Sequence, residues 1–284
     1  MSTFKHLIIT RFNLRNPKWD TDKENVKVLT DEWHRDRFKL FEDFCLSSLS
    51  AQTNMNFEWY VFFDTTTTAE FRSIIDRLKE EHNFFKPVFV SGMGNYLPGI
   101  QEVVSNIKED FIITTRLDND DCFCRIFVEE VQKRFDNQEF LALDFIDGFI
   151  LQVQPEIKIG RRIDQFNPFI TIIERNKNPR TVWSVERHSH WKREKNLQAV
   201  RNVPIWVAVI HAANKINDFA GHGHVEPEEF LKHVEIKDPW RSKIITETVP
   251  VSKWKFESLK NNVMQHRDYF YKILKRSLGV YKLK

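Results

Sequence analysis

Between Phe4 and Arg116 short apolar runs alternate with stretches of helical period, and few folds accept that rhythm. Phe4 to Phe12 is a strand. Arg35 to Gln52 repeats Phe38, Phe41, Cys45 and Leu49 every three or four residues, as one face of a helix does. Trp59 to Phe63 is the next strand and ends at Asp64. The run Thr65 to Thr68 can cap a helix over Ala69 to His82, with Phe71, Ile74, Ile75 and Leu78 on one side. A third strand, Pro87 to Ser91, enters Gly92-Met93-Gly94, and Pro98 starts a helix through Val103, Val104 and Ile107. Strands parted by helices in this way predict an α/β fold with a mostly parallel, Rossmann-like sheet, right-handed crossovers and helices on both faces.

A fourth strand from Phe111 ends abruptly in Asp118-Asn119-Asp120-Asp121. Carboxylates crowded like this repel one another unless something positive sits among them. Mg²⁺ and Mn²⁺ take oxygen ligands and bridge protein carboxylates to phosphates, so one reading is a nucleotide-diphosphate site. The other is a solvated acidic turn or a helix cap, where Asp and Asn are favoured. Ligands of open α/β sheets bind outside the carboxyl ends of the strands. Thr10-Arg11, Asp64, Gly92 and the Asp cluster all fall there, which favours the first reading.

Beyond a helix over Arg125 to Phe135, Phe140 to Gln154 reads as one long strand or a hairpin turning near Asp147-Gly148. Scattered prolines then mark a looser half. Gly221-His222-Gly223-His224 has glycines that suggest a mobile lid. Lys253 to Leu278 has helical spacing, with Trp254, Leu259, Val263, Phe270 and Leu274 among basic residues. Such a helix either contacts anionic lipid or packs on its own domain with a solvated basic face. The sequence therefore divides into a domain over 1–250, with halves 1–125 and 126–250, and a basic amphipathic C-terminal helix over 251–284.

Composition narrows the setting. With 29% charged and 41% hydrophobic residues the chain is of ordinary globular type, and no apolar stretch approaches the ~20 residues of a membrane span. A cytoplasmic protein is expected, reaching the inner face of the membrane at most through its C-terminal helix. Cys45, Cys122 and Cys124 have no metal-ligand spacing and are expected to be free thiols. The basic tail is joined by no nucleic-acid-binding motif, so nucleic acid is not an expected partner. No glycine-rich loop follows Thr10, which disfavours a nucleotidyltransferase, the main alternative.

The succession of a first strand, Phe62-Phe63-Asp64-Thr65-Thr66-Thr67 and Leu117-Asp118-Asn119-Asp120-Asp121 resembles a GT-A fold glycosyltransferase. More narrowly, Arg37-Phe38-Lys39-Leu40-Phe41-Glu42, Phe44-Cys45-Leu46-Ser47-Ser48-Leu49, Thr115 to Asp121, and Pro204-Ile205-Trp206 with His211 and Asn214 are similar to the putative rhamnosyltransferase family. The resemblance covers Phe4 to about Asn217. It implies a metal-dependent transfer of a sugar, rhamnose among the candidates, from a nucleotide-diphosphate donor to a glycan or lipid-linked acceptor in surface polysaccharide synthesis. By the same resemblance Asp118, Asp120 and His211 would hold Mn²⁺ or Mg²⁺. Asp64 and Asp118 would contact the nucleotide, Asp64 facing the base, while Arg116 would either neutralise a phosphate or pair with a neighbouring Asp; Thr10 and Arg11, at the end of the first strand, are placed to contact the nucleotide as well. Asp121 would be aimed at the acceptor or the following helix.

An inverting enzyme of this kind also needs a base for the acceptor hydroxyl. Trp183 to Trp191 offers Glu186 first and His188 next, between two tryptophans that could stack on sugar faces, with Asp144 and Asp147 as competitors. The alternative is that Glu186-Arg187 is a surface pair and the tryptophans are core.

Overall fold

The computed structural model describes residues 3–17, 21, 27–185, 188–212, 214 and 218–282. In chain order the first part holds β1 (Phe4–Arg11), α1 (Asp31–Leu40), a π-helical stretch (Phe41–Leu46) that continues into α2 (Ser47–Ser50), β2 (Glu58–Asp64), α3 (Ala69–Glu81), β3 (Phe85–Val90), α4 (Tyr96–Ser105) and β4 (Phe111–Arg116). β1 pairs in parallel with both β2 and β4, and β2 with β3. Side chains alternate across this sheet. Ile8, Val61, Phe63 and Ile113 join a core with Phe38, Phe41 and Phe71 from α1, the π stretch and α3. Leu7, Ile9, Phe62 and Ile112 join Tyr96, Ile100 and Val104 of α4 on the other face. The expected layering of helices on both faces is thus what the apolar side chains enforce.

Two local expectations are corrected. Thr68 stands at the N-cap of α3 but makes no side-chain capping bond. The threonines serve Asp64 instead: the Thr66 hydroxyl donates to its carboxylate and the Thr67 hydroxyl to its carbonyl, both at 2.7 Å. Pro98 lies inside α4, which starts at Tyr96 after a short 3₁₀ turn over Met93–Asn95.

The second part contains β5 (Cys122–Phe123), α5 (Phe127–Gln132), β6 (Phe140–Phe145), β7 (Asp147–Gln152), β8 (Lys158–Ile163), β9 (Thr171–Arg175), β10 (Leu197–Val200), β11 (Trp206–Ile210), α6 (Pro227–His233), α7 (Trp240–Glu247) and α8 (Lys255–Ser277). The main sheet runs β10-β6-β9-β4-β1-β2-β3, and a smaller sheet runs β5-β11-β7-β8. β9 is the one antiparallel insertion in the main sheet among the described residues, between β4 and β6. The stretch from Phe140 to Gln154 is neither one strand nor a hairpin, because β6 belongs to the first sheet and β7 to the second. The switch needs Gly148: a Cβ there would lie 2.2 Å from the Trp206 ring, which also donates its indole N–H to the Phe145 carbonyl at 2.6 Å. This crossover folds the second sheet over the carboxyl end of β4.

Candidate active site

The Asp loop begins where β4 leaves the sheet. Asn119 fastens it, donating to the carbonyls of Arg11 at 3.3 Å and Phe12 at 3.0 Å. Arg37 reaches it from α1, donating to Asn119 Oδ1 at 3.0 Å and to Asp120 Oδ2 at 2.6 Å. The same Asp120 oxygen meets His211 Nε2 at 3.0 Å and Asn214 Nδ2 at 3.4 Å, just past β11. Burial alone would raise the Asp120 pKa; the Arg37 charge and hydrogen bonds from His211 and Arg37 reverse that and hold it well below the usual carboxylate range. Asp118 is paired separately, with both oxygens 3.1 Å from Arg116 Nη2. The positive charge that the Asp cluster requires is therefore present in the protein as Arg37 and Arg116.

Asp121 differs from its neighbours. It is buried and accepts from the Val209 amide of β11 at 2.9 Å, so it ties the loop to the second sheet. Burial, then the charges of Asp120 and Asp118, push its carboxyl well up. Beneath the loop lies the π-helical stretch, whose Cys45 thiol donates to the Asp118 carbonyl at 3.8 Å. Cys45, Cys122 and Cys124 are free and buried, as expected.

The neighbouring strand ends converge on the same crevice. Asp64 accepts from the Arg15 amide at 3.1 Å, Arg15 Nε at 3.0 Å, the Gly92 amide at 3.0 Å, and the Thr66 amide and hydroxyl at 3.0 and 2.7 Å. Burial raises its pKa, but the bonds from Thr66 and Arg15 outweigh it and bring it to about 2. All its lone pairs are used, so Asp64 knots the ends of β2 and β3 to Arg15. Thr10 is turned away from the crevice: its buried hydroxyl accepts from the Trp59 indole at 2.9 Å, a core role that alternation along β1 dictates. Trp183 forms a platform, with the Arg116 guanidinium 4.3 Å and that of Arg11 5.7 Å from its ring centroid. The Arg116 Nε is buried and has no hydrogen-bond partner among the described residues.

Of the candidate bases, Glu186 lies outside the described residues, as does Arg187, its possible surface partner. His188 is close enough to Arg116 and Asp118 to feel both charges. Its Nδ1 lies 2.6 Å from the Phe166 carbonyl, which places the proton on Nδ1 and the ring's lone pair on Nε2. Burial, then the Arg116 charge, lowers its pKa, so the ring is neutral at pH 7. Asp144 is fully buried under the Phe166 amide at 2.7 Å and Asn167 at 3.1 Å, and burial lifts it to about 7. Asp147 accepts from Arg201 at 2.8 Å and the Asn202 amide at 2.6 Å as a turn anchor. Trp191 packs in a core with Ala142 and Ile172, so only Trp183 of the two tryptophans reaches the crevice. The glycine-flanked histidine loop is pinned and does not form a lid: His222 pairs with Arg161 through both backbone bonds, and Ser258 and Asn261 of α8 hold Gly223 and Gly221.

Carboxylate oxygens and an imidazole nitrogen suit Mn²⁺, and Mg²⁺ tolerates few protein ligands when phosphates supply the rest. Among the described residues no three His, Cys, Asp or Glu side chains gather into a cage. Of the three expected donors, Asp120 and His211 are together and Asp118 stands apart, paired with Arg116. Arg37 and Asn119 are site residues that the sequence reading did not single out. Their signal is phase: Arg37 occupies the buried side of α1 beside Phe38, where an apolar residue is the rule.

Residues 4–222 match the sequence profile of a family described as "Putative rhamnosyl transferase". No curated protein matched the chain. Among solved structures, Staphylococcus aureus TarS, residues 1–349 in complex with UDP, is similar at 12% identity and a TM-score of 0.44, over 85% of this chain and 69% of that one. A putative nucleotide-diphospho-sugar transferase from Desulfovibrio desulfuricans G20 is similar at 12% identity and a TM-score of 0.36, over 75% and 84%. At such values the family match, not the structural likenesses, carries the assignment.

Proposed function

The chain belongs to the putative rhamnosyl transferase family, and from that premise we propose that it moves a sugar from a nucleotide-diphosphate donor to a hydroxyl of a glycan or lipid-linked acceptor. Rhamnose, as the family description names it, is the sugar proposed, in the synthesis of a surface polysaccharide. The observation that carries the reading is the crevice itself, where Arg116–Asp118 and Arg37–Asp120–His211 stand side by side at the carboxyl end of β4. A diphosphate would be recognised by the guanidinium groups of Arg116 and Arg11 beside Trp183.

Arg116 and Arg11 would receive the phosphates, and Trp183 between them would support the nucleotide or the sugar ring. Asp64 would act indirectly, by holding Arg15 and the Gly92 turn where the base lies. Asp118, Asp120 and His211 would hold Mn²⁺ or Mg²⁺, which when bound neutralises charge on the departing diphosphate. His188 Nε2 would take the proton of the acceptor hydroxyl. The acceptor oxygen bonds to the anomeric carbon, the bond from that carbon to the phosphate oxygen breaks, and the nucleoside diphosphate leaves. A single displacement of this kind inverts the anomeric centre.

The test is release of nucleoside diphosphate from a panel of UDP-, GDP-, CDP- and dTDP-sugars, with Asp120→Asn alongside. Turnover of one donor, dTDP-rhamnose first, that fails in the variant supports the proposal. Release from none of them, or equal release by the variant, contradicts it.

A further inference from the structure

We propose that the outward face of α8 docks on an anionic lipid bilayer. The inference is independent of the sugar-transfer proposal, and α8 lies beyond the family match, which ends at 222. An amphipathic helix on a globular domain normally turns its apolar stripe to the core. α8 is turned the other way. Its attachments are polar: Ser258 accepts from the Gly223 amide at 2.9 Å, Asn261 donates to the Gly221 carbonyl at 3.0 Å, and Gln265 accepts from the Ile163 amide at 2.7 Å. About two and three turns on, Lys272 donates to the Gln165 carbonyl at 2.6 Å and Arg276 to the Glu194 carbonyl at 2.7 Å. These residues recur on one side of the helix and leave the opposite side to solvent.

That opposite side is apolar. Phe256 is 89% exposed, Leu259 and Val263 61%, Phe270 67%, Leu274 53% and Leu278 69%. An apolar stripe along a 23-residue helix, about 35 Å long and interrupted by His266 and Arg267 between Val263 and Phe270, marks an interaction site and not scattered surface. Charge selects its occupant. Lys253, Lys255, Lys260, Arg267 and Lys275 are exposed along the helix, whereas its acidic residues are Glu257 and Asp268 alone. Glu257 lies near Lys158 and Asp268 is paired with Arg267. Phe256, Leu259, Val263 and Phe270 have the spacing of a coiled-coil seam, so a second copy is the rival occupant. Its flanking rows, however, hold Lys255 on one side and Lys260 and Arg267 on the other, with no acid in either. Pairing of two such helices sets like charges together. An apolar stripe bordered by cations instead fits the interface of a bilayer with anionic headgroups, where each nearby cation adds attraction.

Docking there would bear on the crevice. Lys272 binds Asp164 at 3.1 Å and the Gln165 carbonyl, and the next residue, Phe166, holds His188 through its carbonyl. The bilayer-facing helix is thereby joined to the proposed base by three consecutive residues.

The test is co-sedimentation of the full chain with vesicles of phosphatidylcholine alone or mixed with phosphatidylglycerol, with light scattering to record the oligomeric state. Wild type is expected on the mixed vesicles, and Phe256→Glu with Phe270→Glu should lower the bound fraction by about tenfold. Both positions are exposed, so circular dichroism should be unchanged. Lys260→Glu with Arg267→Glu keeps the apolar stripe and should abolish the preference for phosphatidylglycerol. Failure of wild type to bind mixed vesicles, or unaltered binding by both variants, overturns the proposal. A wild-type dimer that the phenylalanine variant splits, without vesicle binding, overturns it in favour of a second copy.

Discussion

The Asp loop and the outer face of α8 break the same rule in opposite directions. At the loop, polar and charged side chains that ordinarily stay in water are buried: Arg37 is 8% exposed and His211 3%. On α8, apolar side chains that ordinarily stay inside are exposed. Each arrangement costs free energy locally, and each is tolerated because the surrounding fold is strong enough to hold it. The difference lies in how each is satisfied. The loop completes itself, cation against carboxylate, so that a ligand must rearrange existing pairs. The outer face of the helix is covered by nothing within the described residues, and the proposed partner is a bilayer.

The comparison breaks most readily at Arg37. Arg37→Met would leave Asp120 buried with only His211 and Asn214 as partners. Loss of transition-state charge compensation should cut kcat/KM about 1000-fold, and opening a buried pair should cost about 3 kcal/mol in denaturant unfolding. Retention of both wild-type values would show the loop to be an ordinary acidic turn. A smaller effect is expected at His188, where His188→Gln should lower kcat about 100-fold. Because the His188 pKa is lowered, its base form persists below the ordinary imidazole value of 6.5, and the acid limb of the wild-type kcat/KM profile should fall below that pH. The variant should lack that limb; an acid limb identical in both proteins would remove His188 from the reaction.

Asp144 sharpens the contrast between buried charges that are paired and one that is not. Its folded pKa of about 7 lies above the ordinary carboxyl value of 3.8, so its contribution to stability is present below 3.8 and lost as pH rises through about 7. Across that interval wild type should lose up to about 4 kcal/mol relative to Asp144→Asn, read as the difference between two series of denaturant midpoints. Parallel series would mean that the carboxyl is ionised in the fold. The smallest effect belongs to α8: Leu259→Ser should change unfolding free energy by no more than about 0.5 kcal/mol, since the side chain touches little. A loss of several kcal/mol would show that the stripe is packed against the domain after all.

The two regions were also unequally legible in the sequence. Through β4 the strands are apolar on both faces and the helices keep a 3.6-residue period, so element order and the parallel sheet follow from local pattern alone. Past Phe140 local pattern stops deciding. Alternation in β6 and β7 tells which face a side chain takes but not which sheet the strand joins, and the Gly148 contact with Trp206 that settles it spans distant residues. At the site the carboxylates were visible because they are consecutive. Their partners were less so: Arg37 and His211 lie 83 and 91 positions from Asp120. Thr10 was misplaced because a strand end looks the same from either face. On α8 the amphipathic period was plain, yet period cannot say which side is covered; that depended on Ser258, Asn261, Gln265, Lys272 and Arg276 finding backbone groups to bond.

The central claim, that the crevice around Asp118–Asp120 takes a nucleotide diphosphate, is tested most directly by isothermal titration with UDP, GDP, CDP and dTDP, each with and without Mn²⁺, on wild type and Asp120→Ala. The account predicts that one nucleotide binds wild type, more tightly with the ion, and that the variant loses the enhancement. Binding of none of the four under either condition would contradict it and return the Asp loop to a self-contained knot of charges.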